Sequence, residues 1–195
     1  MPRNNSSKGS AFERDICRKL SLWFSEGQRD DIFWRTAGSG ARGTVRGKAG
    51  KTTYGAYGDI QAVDPAGEPL MRCFTFELKK GYPRATITDA IDTIQQGKKL
   101  LEFVQFVLQA KRSQALAKSH SWAVIHKRDN KHTTITMPYC QPWADILKDC
   151  RYRTVIHLKF KLHGHEPEKL NVMQCRLEDF LRLCSPSMIK ELAAQ

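Results

Sequence analysis

Apolar residues near the start of the chain recur at helical spacing. At about 100° per residue, Ile16, Cys17, Leu20 and Phe24 fall on one stripe, which predicts a helix over about Ala11–Ser25. Ser10-Ala-Phe-Glu13 has the S-x-x-E form of a capping box and sets the expected start of that helix. Glu13 lies within the apolar stripe, not opposite it. The segments "DIFWRT" (Asp31–Thr36) and "GDIQAV" (Gly58–Val63) predict short strands, the second closed by the turn sequence Asp64-Pro-Ala-Gly67. "MRCFTFELKK" (Met71–Lys80) then alternates with period two. Phe74, Phe76 and Leu78 take one side; Cys73, Thr75, Glu77 and Lys79 take the other. This predicts a half-buried strand whose polar face carries a carboxylate and an amine two residues apart.

Downstream, a helical region is expected from about Thr88 to Lys111, with Gly97 as a weak point. "SWAVIHK" and "HTTITM" flank Asp129-Asn130 as a hairpin. "WADILKDC" predicts a short helix, "TVIHLKFKL" an alternating strand, and "RLEDFLRLC" and "PSMIKELAA" terminal helices. The expected order is helix, three strands, helix, strand, then an appended mixed portion, without internal repeat or linker.

The chain has 195 residues, 41% of them hydrophobic, enough to bury the core of one domain. Its formal net charge of +12 favours a polyanionic partner. No apolar run approaches the ~18–20 residues of a membrane span, so no membrane association is expected. "MPRNNSSKGS" lacks the apolar stretch of a signal peptide, and residues 1–9 read as a basic flexible arm. Six cysteines without any C-x-x-C pair read as reduced thiols of a cytoplasmic protein. The spacing of Cys140, Cys150, His157, His163, His165 and Cys175 fits no zinc motif.

"GSGARGTVRGKAGKTTYGAYGD" (Gly38–Asp59) holds two apparent nucleotide-binding motifs. A phosphate loop ending at Gly50-Lys51-Thr52 needs glycine at position 45, which is Val45. The G-x-G-x-x-G at Gly38, Gly40 and Gly43 is followed by no helical pattern, so no helix N-terminus would meet a pyrophosphate. No nucleotide cofactor is expected. Arg42, Arg46, Lys48 and Lys51 instead make the segment a basic flap suited to a nucleic-acid backbone.

A tight connection between the second and third strands would pair them antiparallel, with Asp59 and Glu77 at the same end of the sheet. Lys79 shares the face of Glu77, and the first helix can bring Glu13 to the same place. Buried carboxylates repel unless a cation or a shared proton compensates. An oxygen-only donor set suits a hard divalent ion such as Mg²⁺.

These residues resemble the PD-(D/E)XK nuclease superfamily: Gly58-Asp59, then Glu77-Leu78-Lys79, with Glu13 on a preceding helix. "KGSAFERDICRKL", "RTAGSGAR", "YGDI" and "FELKKG" are most similar to its archaeal-type Holliday junction resolvases, over about residues 8–128. The resemblance implies an α/β fold with a restriction-endonuclease-like core and a mixed central sheet. It places that core at about 10–137 of a single nuclease domain, 10–195, with residues 138–195 as a C-terminal α+β extension. It implies a metal-dependent endodeoxyribonuclease that hydrolyses phosphodiester bonds, a junction resolvase or a homing- or repair-type enzyme. A non-catalytic nucleic-acid-binding module is the alternative.

Asp59, Glu77 and the Leu78 carbonyl would ligate Mg²⁺, or Mn²⁺ in its place, and Glu13 would complete the shell. Lys79 would orient the attacking water. Arg35, Ser39 and Lys80 would contact DNA with the loop residues, and Gln95 or Gln96 would serve as an accessory glutamine. The implied partner is double-stranded or branched DNA, bound by a homodimer, in the cytoplasm or the DNA-containing compartment of a host cell. Gly58 stands where the superfamily pattern has proline, and the basic loop is longer than in compact resolvases.

Overall fold

The computed structural model describes residues 5–36, 57–83, 85, 86, 88, 101–160 and 168–195. Helix α1 (Asn5–Phe24) buries Ile16, Cys17, Leu20 and Phe24, the stripe that its spacing predicts, and Phe12 with them. It begins upstream of Ser10, so Ser10 and Glu13 lie in its interior. The capping-box expectation is thereby overturned: a cap serves the unpaired N–H groups of a first turn, and Ser10 is not there. Ser21 ties α1 to the first strand, its Oγ donating to Cys17 O at 2.9 Å and accepting from Phe33 N at 3.0 Å.

Strands β1 (Phe33–Arg35) and β2 (Ile60–Ala62) pair antiparallel, with Trp34 opposite Gln61 and Arg35 opposite Ile60. The expected tight turn after β2 is a 3₁₀ turn (Pro65–Gly67) running into a short helix, α2 (Glu68–Cys73). Asp64 starts it by accepting from Ala66 N at 2.8 Å. A proline stands in the first turn of each element, where a missing N–H is harmless. Strand β3 therefore starts at Phe74, not Met71, and spans Phe74–Lys80.

In place of the expected antiparallel ladder between β2 and β3, the described residues show a junction at one backbone hydrogen bond, Asp59 N to Phe76 O at 2.7 Å. The expectation of a half-buried β3 also fails, because Thr75 and Glu77 are buried along with Phe74, Phe76 and Leu78. Helix α3 (Glu102–Ala117) packs over the polar face. It ends at Lys118 in the left-handed conformation, φ +56°, well past the expected Lys111.

Strands β4 (Ser121–Lys127) and β5 (Thr134–Pro138) form the expected antiparallel hairpin. The short helix α4 (Trp143–Ile146), strand β6 (Thr154–Phe160) and helices α5 (Leu177–Leu183) and α6 (Pro186–Ala193) also fall on their predicted segments. Strand β7 (Glu168–Arg176) was not expected. It inserts between β5 and β6, so the mixed sheet has the order β3-β4-β5-β7-β6, with β3 and β4 parallel.

One core lies between the sheet and α1 with the C-terminal helices, joining Phe12, Ile16 and Phe76 to Trp143, Phe180 and Ile189. Phe74 stacks on Trp143 at 4.4 Å between ring centroids. A second core, with Val107, Trp122, Val124 and Val172, lies under α3. Each fully buried large apolar side chain contributes about 1.5–3 kcal/mol. This packing holds β3 rigid between the layers.

Candidate active site

Burial of polar groups on β3 marks the site. Glu77 is only 2% exposed, yet both carboxylate oxygens are engaged. Ser113 Oγ donates to Oε1 at 2.8 Å, and Gln109 Nε2 donates to Oε2 at 2.6 Å. Lys79 Nζ stands 3.3 Å from the same Oε2 and donates to Gln109 Oε1 at 3.0 Å. Gln109 and Ser113 are one helical turn apart on α3, so one face of that helix grips Glu77 and Lys79 together. Neither was singled out from the sequence. The available signal was a polar pair at i, i+4 beside the apolar run Phe106-Val107-Leu108.

Asp59 reaches the same place from β2. Its Oδ2 accepts from Leu78 N at 2.7 Å, and its charge bears on the neighbouring Glu77. The chain enters Asp59 through Gly58, at φ +84°, and Thr36 Oγ1 donates to Gly58 O at 2.6 Å. A Cβ on Gly58 would stand 2.5 Å from Phe76 O, so only glycine lets β2 approach β3 this closely. In an extended strand the N–H and C=O of one residue point to the same edge. The Leu78 carbonyl accordingly points toward Asp59.

Both carboxyls are pushed above the ordinary carboxylate range. Burial is the main cause for each; the charge of Asp59 adds to the effect on Glu77, and Lys79 opposes it at both. Two neighbouring buried acids, with one ammonium beside them, call for a second positive charge or a shared proton.

Among the described residues no three His, Cys, Asp or Glu side chains gather closely enough to hold an ion by themselves. Two carboxylates, with the Leu78 carbonyl on the strand edge that Asp59 meets, are the donors that could hold one. That set fits Mg²⁺, which is usually bound through one or two carboxylates and keeps several waters. Glu13 is brought near the pair but forms an ion pair with Arg35 of β1, Oε2 to Nη1 at 3.5 Å. Its carboxyl is raised by burial and by Asp59, against the pull of Arg35, Arg14 and Lys79.

Lys80 turns to the other side of the sheet. Its Nζ lies over the Phe12 ring at 6.0 Å, and it lines a cleft of about 580 Å³ with Lys19, Lys127 and Lys131. Ser39, Arg42, Arg46, Lys48, Lys51, Gln95 and Gln96 lie outside the described residues. None of the helices described is long and apolar enough to cross a membrane.

A buried acid pair with a lysine two residues on, carried by a mixed sheet between helical layers, resembles the arrangement expected of a PD-(D/E)XK nuclease. Over residues 4–191 the chain matches the family described as "Phage putative PDDEXK endonuclease", and it belongs to that family. The match supports the superfamily and does not extend to the archaeal-type resolvase branch. No curated protein and no solved structure matches the chain.

Proposed function

We propose that the protein is a divalent-metal-dependent endonuclease that hydrolyses DNA phosphodiester bonds at Asp59, Glu77 and Lys79. The observation that carries this reading is a pair of neighbouring buried carboxyls, both raised, one accepting from the Leu78 N–H and the other beside the Lys79 ammonium. Asp59, Glu77 and the Leu78 carbonyl would hold Mg²⁺, which when bound lowers the pKa of water and neutralises phosphate charge.

Lys79 adds fixed positive charge where the phosphate gains negative charge, held in place by Gln109. Ser113 and Gln109 keep Glu77 in one orientation, so little reorganisation remains for the reaction. Arg35 stands 32% exposed beside the pair and suits a phosphate oxygen, with Glu13 orienting its guanidinium. The net charge of +12 supports a DNA partner, and the basic residues 42, 46, 48 and 51 would follow the backbone.

The test is side-by-side cleavage of a four-way junction, linear duplex, flap and single-stranded DNA with Mg²⁺. Asp59→Asn and Glu77→Gln should abolish cleavage of every substrate while DNA binding in chelator persists. Undiminished cleavage by both purified variants would remove the site from these residues. Preferential cutting of the junction would support the resolvase-type reading; preference for another substrate would support the homing- or repair-type one.

A further inference from the structure

Strand β1 presents a large aromatic side chain beside the acid pair. Pleating sends Phe33, Arg35 and Ile60 toward α1, where Phe33 meets Phe24 at 5.7 Å between centroids and Arg35 meets Glu13. Trp34 and its cross-strand partner Gln61 therefore occupy the opposite face. That is also the face of Glu77 and Lys79, which meet α3 there. Among the described residues helix α3 packs on β3 and β4. Trp34 is 48% exposed and its diagonal neighbour Val63 is 56% exposed. The β1–β2 portion of this face thus carries an indole ring, an apolar side chain and a half-buried amide.

Distance decides what this portion can meet. Gln61 is two residues from Asp59, about 6–7 Å along the strand, and Trp34 is about 5 Å across from Gln61. The indole is therefore on the order of 10 Å from the acid pair, two to three base steps at about 3.4 Å per nucleotide of one strand. A large aromatic at that range, on a chain of net charge +12, matches the pairing of cationic surface and π-platform that holds nucleobases. Bases stacked inside an uninterrupted duplex have no free face for it.

We propose that Trp34 is a stacking platform for an unpaired nucleobase flanking the scissile phosphate, with Gln61 beside it at the base edge. The proposal rests on the nuclease reading above and narrows its substrate class to DNA with a local break in pairing: a branch point, flap, gap or single strand. Trp34 is here a specificity-determining residue, remote from the bond that breaks.

The test is binding in chelator, where no cleavage occurs, so it reads independently of hydrolysis. Gapped and flapped oligonucleotides and an uninterrupted duplex of the same length are titrated against wild type, Trp34→Ala and Trp34→Phe. The gapped DNA is also prepared as a series with one abasic nucleotide moved along the strand. Trp34→Ala should weaken binding of gapped DNA roughly 5- to 150-fold and leave the duplex nearly unchanged, while Trp34→Phe retains most of the affinity. One abasic position should produce the same loss in wild type and no further loss in Trp34→Ala. Equal losses on gapped and uninterrupted DNA, or no loss, would overturn the proposal, as would a change in sedimentation mass showing that Trp34 lies between two copies. Cleavage-dead but normally discriminating protein would instead count against the catalytic reading alone.

Discussion

At the scale of residues, Asp59 and Glu77 are buried carboxyls whose charge a bound cation would relieve. In the unfolded chain they titrate at about 3.9 and 4.3; in the folded chain both are held higher, first by burial. Above the unfolded values the folded state retains protons that the unfolded state has lost. Its added stability is therefore full below about pH 4 and is lost as pH rises through the folded pKa values. Asp59→Asn and Glu77→Gln should each raise the melting temperature in chelator at neutral pH, on the order of 2–4 °C per kcal/mol recovered. Each should also flatten the fall of stability above pH 4. Adding Mg²⁺ should stabilise wild type and leave the variants unmoved. Thermal unfolding across pH, with and without Mg²⁺, checks all three; a wild type that is indifferent to both would mean the pair carries no unrelieved charge.

At the scale of elements, α3 is the clamp on the site. Gln109→Ala and Ser113→Ala each remove a hydrogen bond to Glu77, worth about 1.5–3 kcal/mol where one partner is charged. Single-turnover rates should fall roughly 10- to 100-fold, with DNA affinity close to wild type; a loss confined to affinity would place these residues on substrate instead. The sequence shows Glu77 and Lys79 because a two-residue period puts them on one face. It leaves open what covers that face, since nothing within β3 reveals that a helix many residues later will pack on it. Gln109 stays hidden for the same reason. Strand β7 escapes notice because its alternation changes phase midway: Leu170 and Val172 face one core and Met173 and Cys175 the other, so no single apolar face runs its length. The capping box misleads in the opposite way, as a local motif overruled by a helix that starts earlier.

At the scale of the whole molecule, the C-terminal segment shares the core of the catalytic half. Trp143, Leu147, Met173, Leu177, Phe180, Cys184 and Ile189 pack in one cluster with Phe12, Phe74 and Phe76. A chain ending after Pro138 would lose these partners and leave β5 as an open edge, so it should give no cooperative thermal transition and should aggregate. A truncated protein that melts cooperatively would show that the first 138 residues fold alone.

The conformation of Gly58 bears on ancestry and on engineering. Proline, the superfamily's residue before the acid, is locked near φ −65°, whereas this chain enters Asp59 at φ +84° against the Phe76 carbonyl. Replacing a divergent residue by its family consensus is a standard route to sturdier proteins. At this position the route is closed, because the consensus side chain belongs to a different path of the backbone. A proline at position 58 would therefore require β2 to leave its close approach to the Phe76 carbonyl.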